Sequence, residues 1–132
     1  MARLVYLDAS AIVKLVQEER ESPVLRDALR GRPHRVSSAL ALVEVELASS
    51  RRSPAPPAGR VRTILAGIVL IPVDHPVLER AAELSGHGLR TLDAIHLATA
   101  QSLGEDLESF IAYDQRLLTA ARATGITVEE PQ

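Results

Sequence analysis

Four carboxylates stand where this chain otherwise reads as apolar: Asp8, Glu44, Asp93 and Asp114 each interrupt a run of hydrophobic or small residues. A carboxylate carried into a core is costly unless something compensates it. The chain therefore has to fold so that each acid reaches an edge where compensation is possible. Few basic residues lie beside the four in sequence, so the compensation implied is a divalent cation rather than a set of ion pairs.

The spacing of apolar residues says where such an edge lies. Arg3 to Leu7 is short, β-branched and aromatic-containing, and reads as a buried strand ending at Asp8. Ser10 is expected to cap a helix through about Val16, and a second helix runs from about Ser22 to Leu29, stopped by Gly31 and Pro33. His34 to Ser37 reads as a short strand, and Ser38 to about Arg52 as a long helix. Ser53-Pro54-Ala55-Pro56-Pro57-Ala58-Gly59 is a stiff connector, since proline suits neither helix interior nor central strand. Beyond it come a helix over Val61 to Ala66 and a strand over Ile68 to Val73. A helix with Pro76 in its first turn then reaches about Leu84. Thr91 opens a helix to about Leu103, Ser109 to Ala112 is a strand, and Asp114 begins a last helix ended by Gly125. Ile126 to Val128 would be an edge strand. Strands alternating with helices predict an α/β fold with a central parallel sheet of four or five strands.

With 132 residues, 46% of them hydrophobic, the chain fits one globular domain over 1–132. It has no cysteine, which rules out a disulfide framework or thiolate zinc site and is compatible with a reducing cytoplasm, the expected location. The N-terminal apolar run is too short for a signal peptide or membrane span, so no membrane partner is expected. A net charge of −2 does not announce a nucleic-acid binder. If four of the seventeen acids are neutralised by metal, however, the remaining surface is net positive, and fourteen of the fifteen basic residues are Arg, which suits bidentate phosphate contacts. A coding preference for Arg explains the same count. Tyr6, Tyr113 and Phe110 are the only aromatics, too few for a base-stacking platform.

In a parallel sheet, ligands bind outside the carboxyl ends of the strands. Asp8 and Asp114 each follow a strand and should share that edge, although Asp8 also suits a turn and Asp114 a helix N-cap. At about 100° per residue, Glu44 falls in the middle of an arc of Leu40, Ala41, Leu47 and Ala48, and so points inward. Glu46 falls opposite, among Ala39, Leu42, Ser49 and Ser50, and is the solvated glutamate. Asp93 is the only charge from Thr91 to Leu103; with Thr91 as N-cap it complements the helix dipole, and it is also aimed at the strand ends. His96 shares its face. Asp-x-x-His can ligate zinc, but without a third nitrogen or sulfur ligand a packing or supporting histidine is the better reading. His75 and His87, beside Pro and Gly, are read as solvated. Oxygen-only ligation suits Mg2+ or Mn2+, an ion that polarises a phosphate and activates a water for in-line attack. The four acids thus point to a metal-dependent phosphodiesterase holding one or two ions.

Four blocks carry a family resemblance: Tyr6-Leu7-Asp8-Ala9-Ser10-Ala11-Ile12-Val13-Lys14-Leu15, Ser38-Ala39-Leu40-Ala41-Leu42-Val43-Glu44, Leu92-Asp93-Ala94-Ile95-His96-Leu97-Ala98 and Ala112-Tyr113-Asp114-Gln115-Arg116-Leu117. In this order they resemble the PIN-domain ribonucleases, specifically the VapC toxins of bacterial toxin–antitoxin pairs. The resemblance implies a PIN-like parallel sheet flanked by helices and a Mg2+ or Mn2+ site at Asp8, Glu44, Asp93 and Asp114. It implies endonucleolytic cleavage of RNA, a VapB-like antitoxin crossing the active groove, a homodimer and a higher toxin–antitoxin assembly. Carried over, Asp8 and Asp93 are the principal metal ligands, and Glu44 is a ligand directly or through water and a candidate for orienting the nucleophile. Asp114 is the most peripheral acid, and Ser10 is a hydroxyl supporting the first acid or an ordinary N-cap. Many relatives carry Thr or Ser where this chain has Ala112, which leaves Asp114 less well fixed. Arg51, Arg52, Arg60 and Arg62, flanking the connector, are candidate RNA phosphate contacts.

Other readings are poorer. Haloacid-dehalogenase chemistry wants a second Asp where Ser10 stands, and a receiver module wants a late lysine, whereas Lys14 is the only one. A non-catalytic RNA- or antitoxin-binding PIN module is the alternative of another class; retention of four mutually repelling acids argues against it.

Overall fold

Strand β1 (Leu4–Leu7) can lie at the centre of a sheet because it is apolar on both sides: Val5 and Leu7 enter one core and Tyr6 the opposite one. The computed structural model describes residues 3–132 and builds a five-stranded sheet around this strand. The other strands are β2 (Arg35–Ser38), β3 (Val69–Ile71), β4 (Leu107–Ile111) and β5 (Val128–Glu129), in the order β3-β2-β1-β4-β5. Every pairing is parallel. The expected α/β class with four or five strands is thus realised with five.

Parallel neighbours require crossovers, which the helices supply. Helices α1 (Ala9–Val16) and α2 (Ser22–Ala28) join β1 to β2, and α3 (Leu40–Ser50) and α4 (Arg60–Leu65) join β2 to β3. Helices α5 (His75–Glu83) and α6 (Thr91–Gln101) lead to β4, and α7 (Gln115–Ala123) leads to β5. On one side of the sheet Val5, Leu7 and Ile111 pack with Ile12, Leu25, Val45 and Leu65 from α1 to α4. On the other, Tyr6, Phe110 and Ala112 pack with Val77, Leu97 and Leu117 from α5 to α7. The chain runs outward from β1 through β2 to β3, then returns to add β4 and β5 on the far side. The resulting switch point opens a crevice at the carboxyl ends of β1 and β4.

Four local expectations are corrected. The cap of α1 is Asp8, whose side chain accepts from the Ala11 N–H; Ser10 lies inside the first turn. The cap of α6 is Arg90, without a side-chain cap bond, and Thr91 is the first helical residue. On α3 the core-facing line is Ala41, Val45 and Ser49, while Leu42, Val43 and Leu47 are 53%, 57% and 48% exposed. Glu44 therefore stands at the boundary of the packed face rather than at its middle. Apolar residues surround most of this helix, so periodicity alone could not choose the side that packs; the small Ala41 and Ser49 let α3 approach its neighbours there. The strand expected over Ile68 to Val73 is confined to Val69–Ile71. No helix among the described residues is long and apolar enough to cross a membrane.

The α3 assignment is tested by two truncations on the same helix. Val45→Ala, at a fully buried position, should lower unfolding stability by about 2 kcal/mol. Leu42→Ala should change it by less than about 0.5 kcal/mol. Urea unfolding of both variants checks this, and equal losses would show that the packed face has been misassigned.

Candidate active site

The crevice at the switch point is a cleft of about 490 Å³ lined by all four acids, with Ala9, Ser10, Arg90, Thr91, Leu92 and His96. Each acid comes from a different part of the fold. Asp8 leaves β1 and caps α1, Asp114 follows β4 and caps α7, Glu44 projects from α3, and Asp93 lies in the first turn of α6.

Asp8 is the most constrained. It is 4% exposed, and its Oδ1 accepts from the Ser10 hydroxyl (2.6 Å) and the Ala11 N–H (3.0 Å). Burial pushes its carboxyl up to about 6, against the opposing pull of the Ser10 hydrogen bond, of His96 whenever its ring is protonated, and of the Ala11 hydrogen bond. The Ser10 hydroxyl also accepts from the Tyr113 N–H (3.1 Å), so it ties the segment after β4 to that after β1. Of the two readings of Ser10, the cap is corrected to Asp8, and the hydroxyl is hydrogen-bonded to that first acid. Asp93 is half-buried, and its carboxyl is raised by burial and then by the Asp114 and Glu44 charges, with His96 and Arg90 opposing. Asp114 lies exposed at the rim, its Oδ1 accepting from the Leu117 N–H (3.0 Å). Ala112 is buried and brings no hydroxyl, so the helix cap is what holds Asp114.

His96, 1% exposed, uses both ring nitrogens. Nε2 meets Glu44 Oε1 at 2.6 Å and Nδ1 meets the Tyr6 hydroxyl at 2.7 Å. With neither nitrogen free, the supporting role is favoured over a zinc pair with Asp93. Burial pushes the Tyr6 phenol well above its ordinary range, which keeps it a hydroxyl. His75 and His87 are exposed, and His75 pairs with Glu79 at 3.2 Å.

The connector arginines are not brought to this cleft. Arg52 pairs with Glu19, Arg60 donates to the Leu15 carbonyl (3.4 Å), Arg62 lines a separate hollow with Glu46 and Pro57, and Arg51 is exposed. The basic groups at the mouth are Arg90 and, in an adjoining depression shared with Asp93 and Asp114, Arg116. Neither forms an ion pair among the described residues. Arg90, Arg116 and Tyr6 went unremarked as site residues in the sequence. Arg90 had one visible signal, its place just before the helix that carries Asp93.

The donor set fits a hard divalent ion. Asp8 is a buried carboxyl with no cationic side chain hydrogen-bonded to it, Asp93 and Asp114 repel each other, and the acids are all oxygen donors. Among the described residues no three His, Asp or Glu side chains converge closely enough to hold a metal ion by themselves. Mg2+ does not require such a set, because it keeps several waters and binds through one or two carboxylates.

Comparison with known proteins agrees with this architecture. The PIN domain family model matches residues 5–123. Ribonuclease VapC46 of Mycobacterium tuberculosis is 51% identical over 128 residues, covering 96% of this chain and 97% of the relative. Ribonuclease VapC35 of the same species is 40% identical over 133 residues, covering 97% of each. Among solved structures, a toxin–antitoxin complex from Klebsiella pneumoniae superposes with a TM-score of 0.73 at 25% identity, over 97% of this chain and 98% of that one. VapBC2 from Rickettsia felis, bound to a promoter DNA fragment, shares the fold with a TM-score of 0.68 at 14% identity, over 98% and 99%. A match over nearly the whole sequence, with the four acids gathered at the sheet's switch point, leaves one assignment: the chain belongs to the PIN-domain family, among its VapC ribonucleases.

Proposed function

We propose that this protein is a Mg2+- or Mn2+-dependent endoribonuclease, the toxin of a VapBC-type toxin–antitoxin pair. The observation that carries this reading is the gathering of Asp8, Glu44, Asp93 and Asp114 in one cleft, where among the described residues no Lys or Arg forms an ion pair with any of them. Asp8 and Asp93 would be the principal ligands, Glu44 a ligand directly or through water, and Asp114 the outermost. When bound, the ion supplies Lewis-acid polarisation of the scissile phosphate and activation of water. The protein's part is positional. Ser10 and the α1 N-terminus hold Asp8, His96 holds Glu44, and Arg90 is placed to meet a phosphate entering the cleft. Arg51, Arg52, Arg60 and Arg62 remain proposed only as outlying contacts for longer RNA.

A protein partner is part of the proposal. Val43 and Leu47 are exposed on α3 beside Glu44, so an antitoxin segment crossing the acidic cleft would meet apolar side chains there. The neighbouring solved structures include toxin–antitoxin complexes, which supports such a partner. We also propose a homodimer within a larger toxin–antitoxin assembly. Residues 1–132 act as one PIN unit in this scheme, in the cytoplasm.

Three outcomes are expected. Purified protein should cut total cellular RNA at discrete positions with Mg2+ or Mn2+ and not with EDTA, and Asp8→Asn and Asp93→Asn should each reduce cleavage about 100-fold or more. Undiminished cleavage in EDTA would sink the metal reading, and a folded, antitoxin-free protein inert with every ion would favour the binding module.

The second outcome concerns Asp8 and pH. Its folded value of about 6 lies above its ordinary 3.8, so the folded state binds this proton more tightly than the unfolded chain. Metal-free protein should therefore gain stability from this group as pH falls from about 7 to about 4, by up to about 3 kcal/mol. With EDTA, Asp8→Asn should melt above the wild type at pH 7.5, with the gap closing towards pH 4.5. Added Mn2+ should raise the Tm of the wild type only. Thermal unfolding across this range measures both effects, and a constant gap would refute the burial argument.

Third, in a cleavage-silenced Asp8→Asn background, Arg90→Ala should weaken single-stranded RNA binding. The slope of log affinity against log salt should become shallower by about 0.7, as expected for one lost phosphate contact. Fluorescence anisotropy titrations at several salt concentrations decide this, and an unchanged slope would remove Arg90 from the substrate path.

A further inference from the structure

Tyr6 occupies the middle of the central strand, fully buried, where a phenylalanine would fill the same space without a polar group to satisfy. Its ring is fixed by two neighbours: it stacks on Phe110 (centroids 5.2 Å, interplanar angle 6°) and stands edge-on to His96 (5.8 Å, 80°). Its hydroxyl lies within hydrogen-bonding distance of His96 Nδ1, at 2.7 Å, and His96 Nε2 lies 2.6 Å from Glu44 Oε1. Three polar side chains thus form one line from the interior of the sheet to the rim of the acidic cleft. Only Glu44, with 21% of its side chain exposed, has another place to go.

For a neutral His96 the direction of these bonds follows from chemistry. A carboxylate only accepts, so the nitrogen facing Glu44 must carry a proton; neutral imidazole then presents a lone pair at Nδ1, which requires a donor. The Tyr6 hydroxyl is that donor. In the opposite tautomer a lone pair on Nε2 would face the carboxylate, and Glu44 would be driven towards solvent.

We propose that Tyr6 is a positioning residue for Glu44, acting through His96 by selecting the tautomer that holds the carboxylate in the cleft. This deepens the nuclease reading above and rests on it. Strand β1 then serves the site twice: at its end it presents Asp8, and two residues earlier Tyr6 orients an acid that reaches the cleft from α3.

The test is Tyr6→Phe, which keeps the ring and its stacking and removes only the hydroxyl. Affinity for Mn2+, measured by calorimetry, and kcat on a defined RNA should each fall about 10-fold, with KM changed less than about twofold. In a Glu44→Gln background the same substitution should alter Mn2+ affinity less than about twofold, because the group through which it acts is already gone. His96→Gln retains an amide donor towards Glu44 and should keep most of the affinity that His96→Leu loses. In the metal-free wild type, long-range proton–nitrogen NMR should report the Nε2-protonated tautomer of His96. The proposal is overturned by a Tyr6→Phe protein that matches the wild type in Mn2+ affinity and kcat, by equal effects with and without Glu44, or by the opposite tautomer. Should Tyr6→Phe fail to fold, the His96→Gln and His96→Leu pair decides, and equal losses in the two overturn it. A wild type that neither binds Mn2+ nor cleaves RNA is a separate result, which refutes the nuclease reading and this inference with it.

Discussion

Everything around the cleft follows from the burden of Asp8, a carboxyl almost wholly removed from water at the end of the central strand. Its hydrogen bonds from Ser10 and the Ala11 N–H satisfy its geometry without cancelling its charge, and burial still dominates its titration. A natural core would replace such a group with something apolar or neutral unless the charge had a use. The neighbouring acids sharpen the point, since Asp93 adds repulsion to Asp8 and is itself repelled by Asp114 and Glu44. The metal-free fold thus carries a local electrostatic debt that a divalent cation would settle.

Parallel topology makes that concentration of charge possible. All five strands point the same way, so β1 and β4 deliver Asp8 and Asp114 to one edge, and the reversal of strand order between them leaves that edge open. Glu44 and Asp93 arrive on helices from opposite sides of the sheet. His96 links the two layers, since its ring lies against Tyr6 in the core of the α5-to-α7 side while its far nitrogen bonds Glu44 on α3. Ser10 makes a similar link along the edge, between Asp8 and the backbone of Tyr113.

Much of this was legible in the residues. Short apolar runs alternating with helical spacing were enough for a parallel α/β class, and an acid soon after each of two strands was enough to place Asp8 and Asp114 at one edge. Where the reading failed, the signal was degenerate. Both Asp8 and Ser10 are good caps, and only the backbone of α1 shows that Asp8 takes that position. Apolar residues run almost all the way round α3, so an arc containing Leu47 looked as good as the one containing Val45 that actually packs. The connector arginines are clustered in sequence but lie away from the acids, whereas Arg90 and Arg116, apart in sequence, meet at the mouth.

The sequence by itself determined the class of fold and singled out the four acids that the fold gathers in one cleft, because strand and helix periods and the cost of a buried charge are local properties of residue type. Only the tertiary structure decided which face of α3 packs, which arginines face the cleft, and that Tyr6 reaches Glu44 through His96. Those relations join residues as far apart as 6, 44 and 96, and no period along the chain encodes a contact made by bringing separate elements together.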